Sequence, residues 1–300
     1  MTNPIRAFQW DLARQTERLD WLIAQLPRYA EWGYREVYLH LENAVEYPSF
    51  PAIARRDAYS VRQMARLVAA AERSGIGVVP IVNLLGHTQY LIDVPELRDL
   101  NECRATDGSP LAAGQICPLH PRTLEVAGRL IGDVARYCTA GKVHVGLDES
   151  TALGRHPLSR HEIAEVGLAA HFGKYLRALH GLASERGLRM GYWADFLALL
   201  PETIEGLPAG TAAYDWYYYP FRGRPALELR NFEPYELAPR LKAGGVEYWG
   251  CPMSGPFRHE PMPTFGDRLA NQRDWWRRCR RVGADGYLVT SWETSRTGAE

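Results

Sequence analysis

The sequence predicts an α/β protein built as a closed (β/α)8 TIM barrel. Three observations carry that expectation. Eight short runs of β-branched and aromatic residues recur along the chain. Amphipathic helical patterns separate most of them. Glycine precedes every run but the first, where a helix can close in the left-handed conformation. Strands alternating with helices form parallel sheets, and eight of them argue for closure.

The elements follow in order. The first run is 7–11 (AFQWD). Leu19, Leu22, Ile23 and Leu26 share one helical face before Gly33, and 36–42 (EVYLHLE) follows. Ser60 is placed to cap a helix carrying Met64, Leu67 and Val68. Gly75 and Gly77 lead into 78–83 (VVPIVN). Leu124, Val126, Leu130, Ile131 and Val134 mark the next helix, and Gly141 precedes 142–149 (KVHVGLDE). One long amphipathic helix is expected over 161–186, then Gly187 and 189–196 (RMGYWADF). Residues 197–207 leave room for a short helix before Gly210 and 211–219 (TAAYDWYYY). Gly244 and Gly245 precede 246–251 (VEYWGC). A last helix over 265–282 leads through Gly283 and Gly286 to 287–293 (YLVTSWE).

The sequence stops at Glu300, so the eighth helix is expected to be short or missing. A second copy in a homodimer, or a further segment, would then cover the gap. No Pro/Ser-rich linker divides the chain, which reads as one domain over 1–300. The long loops, 47–59 and 94–119, both follow strands, on the face where barrels carry chemistry.

Composition narrows the function classes. Lys plus Arg and Asp plus Glu each count 35, so no global basic field draws nucleic acid or an anionic membrane. No stretch of ~20 apolar residues suits a membrane span. The five cysteines are widely spaced without a CxxC pair, which excludes a zinc ribbon or redox motif. Residues 1–10 lack a basic segment followed by an apolar run, and the expectation is a cytoplasmic, reducing location.

Chemistry in a barrel sits at the C-terminal ends of the strands. Those ends supply Asp11 and Arg14, Glu42 and Asn43, Asn83 to His87, Asp148 and Glu149, Trp193 and Asp195, Trp216 and Tyr218, and Trp292. Carboxylates and tryptophans dominate. Only His87, with His40 or His144, offers imidazoles, too sparse a set for a metal site. No Gly-rich phosphate loop and no GxSxG elbow appears, so no cofactor is expected. The sharpest feature is His144-Val-Gly-Leu-Asp-Glu149. Adjacent acids point apart within a strand, but where the ladder ends both can reach one ligand. Two carboxylates in different environments then divide the labour, one ionised and one holding a proton.

With these residues in place, the chain resembles family-20 glycoside hydrolases, the β-N-acetylhexosaminidases, and within them the intracellular branch typified by hexosaminidase D. The His-x-Gly-x-Asp-Glu signature of the family appears as His144, Gly146, Asp148 and Glu149, with Leu147 where a small residue is usual. Leu41-Glu42-Asn43 through Tyr47-Pro48 is similar to the segment after strand two, with Asn43 for the usual Asp. Leu85-Gly86-His87, Trp193-Ala194-Asp195, Trp216-Tyr217-Tyr218 and Thr290-Ser291-Trp292 resemble the motifs ending strands three, five, six and eight. Asp11 to Arg14 is similar to an Asp-x-x-Arg whose Arg grips sugar hydroxyls.

The resemblance implies substrate-assisted retaining hydrolysis of a terminal N-acetylhexosamine, GalNAc or GlcNAc. It assigns Glu149 as general acid and base, Asp148 as acceptor of the acetamido N–H, and Tyr218 as donor to the acetamido oxygen. Trp193, Trp216 and Trp292 would wall the sugar. Arg14, Glu42, His87 and Asp195 would bind hydroxyls or buttress the acids. The partner it implies is an N-acetylhexosamine-terminated glycan or glycoside. The alternative is a catalytically impaired sugar-binding barrel, to which Leu147 and Asn43 give some weight.

Overall fold

The computed structural model describes residues 3–221, 237–255 and 264–292. Eight parallel strands close in sequence order: β1 (Ile5–Asp11), β2 (Glu36–His40), β3 (Gly77–Ile81), β4 (Lys142–His144), β5 (Arg189–Trp193), β6 (Ala212–Trp216), β7 (Glu247–Cys251) and β8 (Gly286–Val289). β8 pairs back onto β1 through Ala7 and Leu288, which completes the ring. A glycine before each of β2 to β8 takes positive φ, from 64° at Gly283 to 86° at Gly33, so one backbone device ends each approach.

Helices wrap the outside: α1 (Leu19–Glu31), α2 (Val61–Arg73), α3 (Gln89–Ile92), α4 (Thr123–Ala135), α5 (Pro157–Val166), α6 (Leu168–Ser184), α7 (Asp195–Leu199), α8 (Leu237–Ala243) and α9 (Phe265–Val282). Ser60 caps α2 as expected: its hydroxyl accepts from Gln63 N at 3.3 Å while the Gln63 side chain accepts from Ser60 N at 2.8 Å. Such a box is worth ~1 kcal/mol. Of the apolar residues that mark α4, Leu124 is exposed, while Val126, Leu130, Ile131 and Val134 are buried.

The single helix expected over 161–186 is two. Gly167 takes φ 84° and ψ 160°, and it ends α5 and starts α6. A helical periodicity that continues past a glycine cannot reveal whether that glycine is helical, because the apolar face resumes in phase. The strands expected to run to Glu42 and Glu149 end earlier, at His40 and His144. Left-handed residues beyond them stop the ladder, as described below. The short helix expected after strand five is α7 with a 3-10 turn over Pro201–Gly206.

Two apolar layers result. Outward strand residues such as Phe8, Val37, Leu39, Val143 and Tyr192 pack under the helices. Inward residues Ala7, Tyr38, Val79, Ile81, Tyr214, Trp249 and Leu288 fill the barrel. Gly191 and Gly286 point inward where large rings need room. A Cβ at Gly286 would lie 2.1 Å from Trp249, and one at Gly191 would lie 2.7 Å from Tyr214. Among the described residues no helix follows β8, and the predicted end of that strand, with the segment that would hold an eighth helix, lies outside them. On that side a cavity of about 290 Å³ opens between α1 and β8, lined by Phe8, Trp10, Tyr29 and Tyr34.

Candidate active site

The barrel mouth is built from backbone that bends sharply where the strands end. Among the described residues the non-glycine positions with positive φ are Glu42 (40°), His87 (54°), Leu147 (80°) and Glu149 (47°). All four follow β2, β3 or β4, and three carry side chains selected from the sequence. Such conformations cost ~1–3 kcal/mol each and persist where the surroundings enforce them. Here neighbouring loops enforce them. A Cβ at Gly86 would lie 1.9 Å from the carbonyl oxygen of Asp148, and one at Gly146 would lie 2.4 Å from Asn83 Oδ1. The glycines of the Gly-His and His-x-Gly motifs therefore let the β3 and β4 ends touch.

That contact brings three ionisable groups together. His87 Nε2 lies 3.4 Å from Asp148 Oδ2 and 3.4 Å from Glu149 Oε2. The charge of Asp148 outweighs the burial of the ring, Glu149 adds to it, and the imidazole is raised to about 10. His87 is thus a cation at neutral pH. Asp148 is largely buried, at 12% side-chain exposure, whereas Glu149 is open at 53%. Asp148 Oδ1 is buried and has no hydrogen-bond partner among the described residues. Asp195, in the first turn of α7, accepts from Glu149 N at 3.0 Å, so it fixes the acid's backbone.

Asp148 is also the electrostatic centre of a wider group. Its charge bears on Arg14 from the β1 end and on Tyr218 beyond β6, as well as on His87. Burial, with Asp148 adding, holds the Tyr218 hydroxyl protonated far above the usual tyrosine range. Trp292 Nε1 donates to that hydroxyl at 2.7 Å. Trp216 stacks on Tyr218 with ring centroids 5.1 Å apart, as expected for inward residues two apart. Tyr217 and Tyr219 form their own contact at 5.8 Å, Tyr217 within the outer layer. Trp193 is 1% exposed and meets Trp292 edge-on at 5.7 Å, so it forms a bed under the aromatic group.

A second polar cluster lies at the ends of β1, β2 and β3. Arg14 Nη1 donates to Asp11 Oδ2 at 2.9 Å, and Asp11 Oδ1 faces His40 Nδ1 at 2.8 Å. His40 Nε2 lies 3.3 Å from Glu42 Oε1 and 3.0 Å from Asn83 Nδ2. Burial works against charge on His40, but Asp11 and Glu42 prevail and raise it to about 9. Burial likewise opposes ionisation of Asp11 and Glu42, yet the cations beside them hold both below the usual carboxylate range. Trp292 joins this cluster to the first: Arg14 sits 5.4 Å from its ring and His40 meets it edge-on at 5.2 Å.

Of the residues chosen from sequence, Asp148, Glu149 and His87 meet directly, and Tyr218, Trp216, Trp292 and Trp193 form one aromatic group. Arg14 and Glu42 join through His40, and Asp195 stands behind Glu149. His87 and Glu149 also line a cavity of about 570 Å³ whose lining does not include Trp216, Tyr218 or Trp292. Asn43 turns away, its carbonyl and side chain accepting from Arg55 at 3.0 and 3.4 Å. His144 is fully buried, accepts from Gly146 N at 3.1 Å, and is pushed well below the usual histidine range by burial, with His40 adding. It is neutral and structural. The hub roles of His40 and Asn83 were missed. Their only sequence signal is inward parity with Tyr38 and Ile81 at two strand ends.

The family model for the glycosyl hydrolase family 20 catalytic domain matches residues 8–217, from β1 through β6 and both acids. The chain belongs to glycosyl hydrolase family 20. No curated protein matches this family-20 sequence. Solved structures share the fold. A β-N-acetylhexosaminidase is 17% identical with a TM-score of 0.71, over 96% of this chain and 66% of its own. The family-20 β-N-acetylhexosaminidase of Streptomyces coelicolor A3(2) is 16% identical at 0.69, over 98% and 60%. A β-N-acetylhexosaminidase from Bacteroides fragilis NCTC 9343 is 15% identical at 0.72, over 96% and 60%. This family-20 chain thus spans 66% or less of the length of each. Among its described residues no group of three His, Cys, Asp or Glu side chains is arranged to hold a metal ion, and no helix is long and apolar enough to cross a membrane.

Proposed function

We propose that this chain is an exo-acting, retaining β-N-acetylhexosaminidase that releases terminal GalNAc or GlcNAc by substrate-assisted hydrolysis. The observation that carries the reading is the Asp148–Glu149 pair at the end of β4, bridged by a cationic His87 and set against Tyr218 and Trp292. Two acids adjacent in sequence and facing one imidazole differ from the pair that flanks a sugar ring as nucleophile and acid, with ~5 Å between carboxyl groups across it. One of them can instead serve a nucleophile within the substrate.

In the proposed sequence the acetamido oxygen attacks the anomeric carbon as the glycosidic C–O bond breaks. Glu149, the more open acid, gives its proton to the leaving oxygen. Asp148 accepts the acetamido N–H and balances the positive charge of the oxazolinium ring. Its buried Oδ1, without a partner among the described residues, is an acceptor suited to that donor. The Tyr218 hydroxyl, held protonated, donates to the acetamido oxygen. Glu149 then takes a proton from water, which attacks the anomeric carbon and reopens the ring with retention. Arg14 and Glu42 bind sugar hydroxyls, and Trp216 and Trp292 wall the ring and its acetyl group over Trp193.

Five buried free cysteines accord with a reducing, cytoplasmic setting, which belongs to the same proposal, as does the intracellular branch of the family. The test is hydrolysis of paired aryl β-GalNAc and β-GlcNAc substrates by wild type and Glu149→Gln. The wild type is expected to cleave at least one epimer, and the variant to lose ~10²-fold or more in kcat. A sugar-binding barrel without turnover would hold either sugar and release no aglycone.

A further inference from the structure

The cavity of about 570 Å³ beside Glu149 lies between two loops and away from the aromatic group. One wall comes from the loop after β3, with Cys103, Leu111, Ala113, Gly114 and Gln115; the other carries Thr151, Ala152 and Arg155 after β4. Exposed loops are usually mobile, but these two are clasped by buried polar side chains. Asn101 donates to the carbonyls of Leu111 and Ala113 at 2.8 and 3.3 Å and accepts from Cys103 N at 2.9 Å. Glu102, fully buried, accepts from Gly154 N at 2.8 Å, His156 N at 3.2 Å and Ser159 Oγ at 2.9 Å. The amides on either side of Arg155 are therefore both tied to one carboxylate across the gap.

Arg155 itself is poorly matched. It is exposed, and its guanidinium has one side-chain contact, Nη1 to Cys103 Sγ at 3.9 Å, with no carboxylate partner among the described residues. The other basic group lining the cavity, His87, already faces two carboxylates. Gln115 is 4% exposed; its Oε1 accepts from Ala152 N at 3.2 Å, and its Nε2 is a buried donor with no partner among the described residues. The cavity is thus lined by an exposed cation without a carboxylate partner and by Gln115, whose buried Nε2 has no partner among the described residues, with Leu111 and Ala113 as an apolar side.

We propose that this cavity is the aglycone pocket and that it selects an aglycone bearing a carboxylate, read by Arg155 with Gln115 as a second donor. The inference rests on the hydrolase reading: a group held in a cavity lined by the proposed general acid is placed to be joined through the oxygen that acid protonates. The acceptor-seeking donors then fix its chemistry. An arginine fork and an amide N–H both seek acceptor oxygens, and a carboxylate supplies two. Among the described residues no aromatic ring lines the cavity beyond the His87 imidazole, so they offer a neutral sugar no stacking platform there.

The test uses two non-hydrolysable S-linked N-acetylhexosaminides, in both sugar epimers. One carries a benzoate aglycone and the other its carboxamide. Affinities for wild type, Arg155→Ala and Arg155→Lys are measured by titration calorimetry. The wild type is expected to favour the benzoate about tenfold, the low end for a charge-assisted hydrogen bond at an open site. In Arg155→Ala the ratio should fall to about one, and in Arg155→Lys it should stay above that. The wild-type ratio should also shrink as salt is raised. Equal affinities in the wild type, a ratio unchanged in Arg155→Ala, or no binding of either compound overturns the pocket. A benzoate preference that depends on Arg155, combined with no turnover of the corresponding O-linked glycosides, would uphold the pocket and overturn the hydrolase.

Discussion

The two ends of the barrel interior hold similar chemistry and treat it differently. At the N-terminal floor Lys142 Nζ donates to Glu36 Oε1 and Oε2 at 2.9 and 3.2 Å, and Tyr38 donates to the same carboxylate at 3.0 Å. The ammonium also lies 4.3 Å from the Trp249 ring centroid, and Tyr38 and Tyr214 share a 2.6 Å hydrogen bond. Here the charges are matched, and the backbone is regular strand. Among the described residues at the mouth, Asp148 keeps an oxygen without a hydrogen-bond partner, and four non-glycine residues take positive φ. Burial and charge occur at both ends, so neither identifies a site. Unmet hydrogen-bonding capacity beside strained backbone sets the mouth apart, a combination that points to a candidate site.

Four experiments break or sharpen that contrast, beginning with the largest effect. Lys142→Met strands the Glu36 carboxylate and should lower stability by about 3–5 kcal/mol in chemical denaturation, while kcat stays at the wild-type level. A floor variant that loses activity without losing stability would erase the distinction. Asp148→Asn should do the opposite. Loss of the charge proposed to balance the intermediate should cut kcat by about 10²–10³, with any loss of stability confined to the pairing of Asp148 with His87.

Trp292→Phe keeps a ring in place but removes the donor to Tyr218, and kcat should fall by about tenfold, near the worth of one buried hydrogen bond. The smallest effect concerns pH. His87 is raised from its ordinary 6.5 to about 10, so its stabilising contribution is complete below 6.5 and is lost as pH climbs from there through about 10. The stability advantage of wild type over His87→Gln should therefore shrink across that window. The ring-proton titration of His87 should move to lower pH in Asp148→Asn, because Asp148 supplies the largest share of the shift. A midpoint unaffected by Asp148→Asn would detach the imidazole from the acid.

Much of the mouth was legible one strand end at a time. Asp148, Glu149, Tyr218, Trp216 and Trp292 could be chosen because strand parity and strand ends are local properties of sequence. The split of the predicted 161–186 helix at Gly167 was not legible, because an in-phase apolar face hides a break. Nor was Arg155, one arginine among many, whose significance lies in what it fails to meet.

The sequence by itself determined the order of strands and helices, the glycines that end each helix, and which residues stand at the barrel mouth. Those follow from periodicity and backbone preference, which act over a few residues. Only the tertiary structure decided that His87 bridges both acids, that His40 ties Asp11 to Glu42, and that Glu102 clasps the loop bearing Arg155. Those contacts join residues far apart in the chain, and their pairing depends on distances of a few ångströms that closure of the barrel alone sets.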